Sequence, residues 1–142
     1  MMERFKLIIK FFIPLIFLSK IKYAFYTFVD LLNLIKGKNE KLIPPLRLMF
    51  DGPRNIETYK KSGKEFFKYY TELCELNPSH NILDIGCGIG RKTIPLTRYI
   101  NDKGRYEGFD VSKVGIDWCR KNISVEYNNF IFQHIDVYNK CY

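Results

Sequence analysis

The chain has 142 residues, of which 46% are hydrophobic and 27% charged, and a formal net charge of +8. That length holds one ordinary domain, and the composition excludes a disordered or fibrous chain. The charge is uneven: residues 1–41 hold eight Lys/Arg against three Asp/Glu, the remainder fifteen against twelve.

The basic character therefore belongs to the leader, and a basic, apolar leader suits an anionic membrane surface or partner better than nucleic acid. Residues 5–18, FKLIIKFFIPLIFL, carry Lys6, Lys10 and Pro14. The run is too short and too charged for a spanning helix, and no small-residue cleavage site follows it. A second apolar stretch, Tyr23–Ile35, continues beyond Lys20 and Lys22. Residues 1–41 thus read as a helical leader, in peripheral contact with a membrane through residues 1–35 or packed on its own domain, with a signal or spanning segment as the third reading. No aromatic-and-basic binding motif accompanies it, which argues against a nucleic-acid partner.

Lys36–Lys41 is a charged break, and Pro44-Pro45 and Asp51-Gly52-Pro53 are turn signals. A helix is expected from about Thr58 to Leu76, with Phe66, Phe67, Tyr70, Leu73 and Cys74 on its inward face. Gly63 weakens it and Asn77-Pro78 stops it. Residues 42–80 thus read as a linker and a helix packing on a sheet. Beyond them strands and helices alternate. Asn81–Ile85 reads as a buried strand. Arg91–Ile100 reads as a helix that Pro95 should kink or start late. Arg105–Phe109 reads as a second strand, Ser112–Asn122 as a helix capped by Ser112, and Phe130–Ile135 as a third strand. This order with short turns implies a parallel sheet.

Between the first strand and its helix lies ILDIGCGIGRKT, Ile82 to Thr93. Glycines at every second position let backbone approach a ligand and aim helix-terminal N–H groups at it. A phosphate-gripping P-loop needs lysine directly after the last glycine, but Arg91 stands there and Lys92 comes one residue late. A G-x-G-x-x-G dinucleotide turn needs a third glycine where Arg91 sits, and Asp84 would repel a pyrophosphate. S-adenosylmethionine has no phosphate but carries an ammonium group, a ribose and an adenine. Asp84 could face its ammonium end, Asp110 at the end of the second strand its ribose hydroxyls, and Asp136 after the third strand its adenine amino group. All three acids lie just past strand ends, where an open parallel sheet binds ligands. A fourth reading takes the glycines as plain turn residues and the acids as helix caps.

The segments ILDIGCGIGR, YEGFD and HIDVYN resemble the successive cofactor motifs of class I S-adenosylmethionine-dependent methyltransferases, and the likeness covers roughly Ile43 to Lys140. It implies a Rossmann-like three-layer α/β fold with a parallel sheet, incomplete at three strands and preceded by helical segments. Residues 81–142 would be the partial cofactor domain. It also implies that Asp84, Gly86 and Gly88 line the methionine end, with Cys87 and Gly90 in the same cofactor-binding turn, that Asp110 holds the ribose with Val111 against the adenine, and that Asp136 binds the adenine amino group beside Ile135 or Val137. Cys87 and Trp118 are expected to pack rather than react.

The family's sheet has seven strands, so the chain reads as an amino-terminal half whose first strand leaves an apolar edge bare. A complementing downstream half is the expected partner, and little activity is expected without it. No catalytic acid or base can be assigned. The acceptor is expected to be a small molecule, and the alternative is a non-catalytic nucleotide-binding or membrane-associated module. The four cysteines lack C-x-x-C spacing and only His80 and His134 could join them, which argues against structural zinc and for reduced thiols in a cytoplasmic protein.

Overall fold

The structure is a computed structural model that describes residues 15–38 and 40–135. The expectations for Asp136, Val137, Cys141 and most of the first apolar run lie outside the described residues. The chain divides into two compact units, one containing residues 1–39 and 45–47, the other residues 40–44 and 48–142.

In the first unit, a single helix, α1 (Leu15–Ile35), runs through Lys20 and Lys22. The described end of the first apolar stretch, from Leu15, is therefore continuous with the second. Neither glycine nor proline interrupts it, and Gly37 adopts φ 65° just past its end, the left-handed stop that suits glycine. Asp30 is the sole acid of α1. Its carboxylate accepts from the Leu46 N–H at 2.7 Å, the Arg47 N–H at 3.2 Å and the Arg47 guanidinium at 3.0 Å. Among the described residues, no helix is long and apolar enough to cross a membrane.

The second unit opens with α2 (Ile56–Glu72), capped by Asn55, whose side chain accepts from the Thr58 N–H at 2.9 Å. The helix ends before the Asn77-Pro78 signal, and Leu73 is 76% exposed and Cys74 exposed. The inward face is instead Tyr59, Gly63, Phe67 and Tyr70. The cause is Gly63: a methyl group there would come 2.5 Å from the Arg91 carbonyl. The glycine that weakens the helix locally is what lets backbone pack against it, and that contact selects the buried stripe.

Three strands, β1 (Asn81–Ile85), β2 (Arg105–Asp110) and β3 (Phe130–His134), form a parallel sheet in the order β1-β2-β3. Asp84 lies opposite Gly108, and Asp110 opposite His134. Between β1 and β2 lies the short α3 (Thr93–Leu96). Pro95 falls within its first turn, where an N–H has no helical partner anyway, so the late start follows. Between β2 and β3 lies α4 (Lys113–Cys119), with the Ser112 hydroxyl accepting from the Gly115 N–H at 3.3 Å. It continues as a π-helical turn over Arg120–Ser124.

Strand alternation puts Tyr106, Phe130 and Phe132 on one face of the sheet. All three are fully buried, with Tyr106 stacked on Phe130 at 5.2 Å between ring centroids. Ile89, Leu96, Ile116, Cys119 and Ile123 complete this core, and Trp118 is also buried. Each such side chain contributes about 1.5–3 kcal/mol on burial. β1 is not the buried strand its apolar sequence suggests: Leu83 is 62% and Ile85 75% exposed. Both project from the face opposite the core, and β1 stands at the edge of the described sheet.

Candidate functional site

The site begins where β1 runs out. Gly86, Gly88 and Gly90 have φ of 87°, 60° and 80°, conformations that residues with a Cβ rarely adopt. The Gly86 and Cys87 N–H groups both donate to the Phe109 carbonyl, at 2.7 and 3.1 Å, which ties the turn to β2. Two close approaches fix it from other sides. A Cβ on Gly115 would come 2.5 Å from the Gly88 carbonyl oxygen, and one on Gly88 3.0 Å from the Asp51 carboxylate. Above Gly86 the space is open: an added Cβ would meet nothing within 4 Å.

Asp110, the last residue of β2, is built into this turn. One carboxylate oxygen accepts from the Gly88 N–H at 2.8 Å and the other from the Ser112 N–H at 2.7 Å. Each oxygen retains a lone pair for a further donor. Val111 follows, 56% exposed, and His134 Nε2 lies 3.1 Å from its carbonyl. Ile135 donates its N–H to the Asp110 carbonyl at 3.1 Å.

Asp84 is held differently. It projects from the buried face of β1, where one oxygen accepts from Lys92 Nζ at 3.0 Å and the other from the Tyr106 hydroxyl at 2.7 Å. The Tyr106 hydroxyl also lies 2.7 Å from Thr93 Oγ1. Asp84 is thus already paired with an ammonium group belonging to the protein. Burial would lower the Lys92 ammonium, but the hydrogen bond and charge of Asp84 outweigh it, and the net shift is upward. Burial, reinforced by the Asp84 charge, drives the Tyr106 phenol far up. The buried Cys87 thiol is pushed up to about 12, first by burial and then by Asp84 and Asp110. It stays a neutral thiol at ordinary pH and cannot serve as a nucleophile there.

The structure therefore brings Asp84, Gly86, Cys87, Gly88, Gly90, Asp110 and Val111 to the carboxyl ends of β1 and β2. Three neighbours escaped the sequence reading. Asp51 sits at the turn with Arg91 Nη2 3.2 Å from its carboxylate, although in sequence it is only part of a turn signal. Lys92 and Tyr106 complete the Asp84 network. Alternation could have placed Tyr106 on the Asp84 face, but nothing in the spacing announced a lysine folding back onto β1.

A left-handed glycine turn leading from a strand into a helix and tied to the neighbouring parallel strand, with an anchored carboxylate at the end of that second strand, makes this segment a Rossmann-like α/β protein, a fold that binds ligands at its strand ends. Residues 82–140 match the family model described as a methyltransferase domain. That match covers less than half of the chain, and over it the chain is similar to methyltransferase domains. Among curated relatives, a phosphoethanolamine N-methyltransferase 3 of Arabidopsis thaliana is 35% identical over 72 residues, covering 51% of this chain and 12% of its own length. A 23S rRNA (uracil(1939)-C(5))-methyltransferase of Vesicomyosocius okutanii is 24% identical over 98 residues, covering 61% of this chain and 22% of its own length. Among solved structures, a protein-L-isoaspartate O-methyltransferase aligns with a TM-score of 0.47 and 22% identity, over 51% of this chain and 23% of that one. The chain thus spans less than a quarter of the length of these proteins.

Proposed function

We propose that residues 81–135 hold S-adenosylmethionine across the carboxyl ends of β1 and β2, and that the protein transfers a methyl group to a small-molecule acceptor. The observation that carries this reading is the Asp110 carboxylate, bonded to the Gly88 N–H at 2.8 Å and so fixed beside the open space over Gly86. Its two free lone pairs suit the adjacent hydroxyls of a ribose. Val111, exposed beside it, offers apolar surface to an adenine. Gly86 lines the methionine end, where bare backbone open on its Cβ side allows close approach, and the buried Cys87, Gly88 and Gly90 shape the turn behind it. Asp84 faces that end with its charge already countered by Lys92, so it contributes less to ligand binding than Asp110. Asp136 and Val137 are assigned to the adenine on the sequence motif alone. Bound there, S-adenosylmethionine supplies a methyl group carried on a sulfonium.

Support for a small acceptor comes from the relative named for phosphoethanolamine. The rRNA-directed relative points the other way, but residues beyond 41 are nearly balanced in charge, and a polyanion needs a basic surface.

Calorimetric titration of the whole chain with S-adenosylhomocysteine tests the site. Saturable one-to-one binding is expected, weakened about 10- to 100-fold in Asp110→Asn, the range for loss of a charged hydrogen-bond acceptor. No binding by the folded chain would sink the reading. Incubation with labelled S-adenosylmethionine and separate pools of small amines and RNA tests the acceptor, and label appearing in RNA alone would reject the small-molecule part.

A further inference from the structure

Helix α1 belongs to the first unit, and its surface is divided. At about 100° per residue, Phe17, Ile21, Phe25, Phe28, Leu32 and Ile35 form one continuous stripe by i, i+3 and i+4 steps. All six are exposed, Phe25 by 60%, Phe28 by 59% and Ile35 by 73%. Lys20 and Lys22 border the stripe on its two sides and are exposed. Among the described residues neither has a partner. Ser19, Tyr26, Thr27, Asp30 and Asn33 occupy the opposite side.

We propose that α1 lies flat on an anionic lipid surface, with its phenylalanine stripe in the acyl boundary and Lys20 and Lys22 reaching the headgroups. Charge decides for this occupant. An apolar stripe alone would fit any hydrophobic partner. Here lysines flank it on both sides, the position from which long cationic side chains reach an interface while their stems stay apolar. The one acid of the helix, Asp30, sits away from the stripe, and Arg47 neutralises it. The preceding sequence adds Arg4, Lys6 and Lys10 against Glu3, and the following residues add Lys36, Lys38 and Lys41 against Glu40, with Lys41 paired to Glu126. The stripe is therefore presented within a strongly cationic stretch. Three charges on the helix favour lying on a bilayer over crossing it.

Flotation of the whole chain with phosphatidylcholine vesicles, with and without phosphatidylglycerol, tests this. Binding is expected to the anionic vesicles, to fall with added salt, and to be nearly absent on pure phosphatidylcholine. Lys20→Glu with Lys22→Glu is expected to weaken it by about tenfold or more. Phe25→Asp with Phe28→Asp changes only exposed positions and is expected to abolish it while leaving the circular dichroism spectrum and melting temperature unchanged. Failure of the wild-type chain to float would overturn the proposal. So would equal flotation of the Phe25/Phe28 variant.

Discussion

At the scale of single residues, the site rests on two aspartates whose environments differ. Asp110 is held by backbone donors and keeps capacity for a ligand, whereas Asp84 is enclosed by Lys92 and Tyr106. Tyr106→Phe removes the hydroxyl that joins Asp84 to Thr93 and leaves both short of a partner inside the core. It is expected to lower the unfolding free energy by about 1–3 kcal/mol, read by urea titration, while weakening S-adenosylhomocysteine binding far less than Asp110→Asn does. The thiols give a second prediction. Burial raises both Cys87 and Cys119 from their ordinary value of 9.0. A group raised on folding contributes stability that is complete below its unfolded value and is lost as pH climbs toward its folded value. The melting temperature is therefore expected to hold between pH 7 and the ordinary thiol value and to fall above it, and Cys87→Ala should make that fall shallower. Iodoacetamide at neutral pH is expected to label the exposed Cys74 while sparing Cys87 and Cys119, as read by peptide mass spectrometry.

At the scale of elements, one glycine outside the turn, Gly63, places a neighbour of the turn. Gly63→Ala would gain about 1 kcal/mol of helix propensity but must force a methyl group to 2.5 Å from the Arg91 carbonyl. Overpacking against fixed backbone costs about 1–3 kcal/mol or more, so the clash wins and a lower melting temperature is expected. An unchanged or higher value would mean that α2 can move freely over Arg91. The strands, the glycine turn, the Ser112 cap and the late start of α3 were legible in the sequence because each is local. Alternation, φ-tolerant glycines, a short capping hydroxyl and a misplaced proline all act within a few residues. The inward face of α2 was legible only at Phe67 and Tyr70; a contact with Arg91, far along the chain, brought in Tyr59 and Gly63 and left Phe66, Leu73 and Cys74 exposed. Within the site, Asp110 could be read from its position at a strand end. The pairing of Asp84 with Lys92 depends on how α3 turns back over β1, and its spacing carries no signal for that.

At the scale of the whole molecule, the two units share a trait: each exposes apolar surface that its own core does not consume. On α1 that surface is framed by lysines, but on β1 it is not. Leu83 and Ile85 project from an edge strand, and the hydrogen-bonding groups on the strand's outer side are unpaired with any described strand. A flat apolar edge is a template for pairing with another chain, and proteins that must remain single place charge there. On β1 itself the charge of Asp84 is committed to the other face with Lys92, and the charges beside Leu83, Glu107 and Arg105 of β2, pair with each other. In the absence of vesicles, the chain is therefore expected to associate with rising concentration in sedimentation velocity. Leu83→Lys with Ile85→Lys should suppress that association by placing like charges where copies would meet. Both side chains are largely solvated, so the cost in melting temperature should be small. If association instead vanished with Phe25→Asp and Phe28→Asp, and not with the β1 pair, the sticky surface would be α1, and the open face of the sheet would be benign.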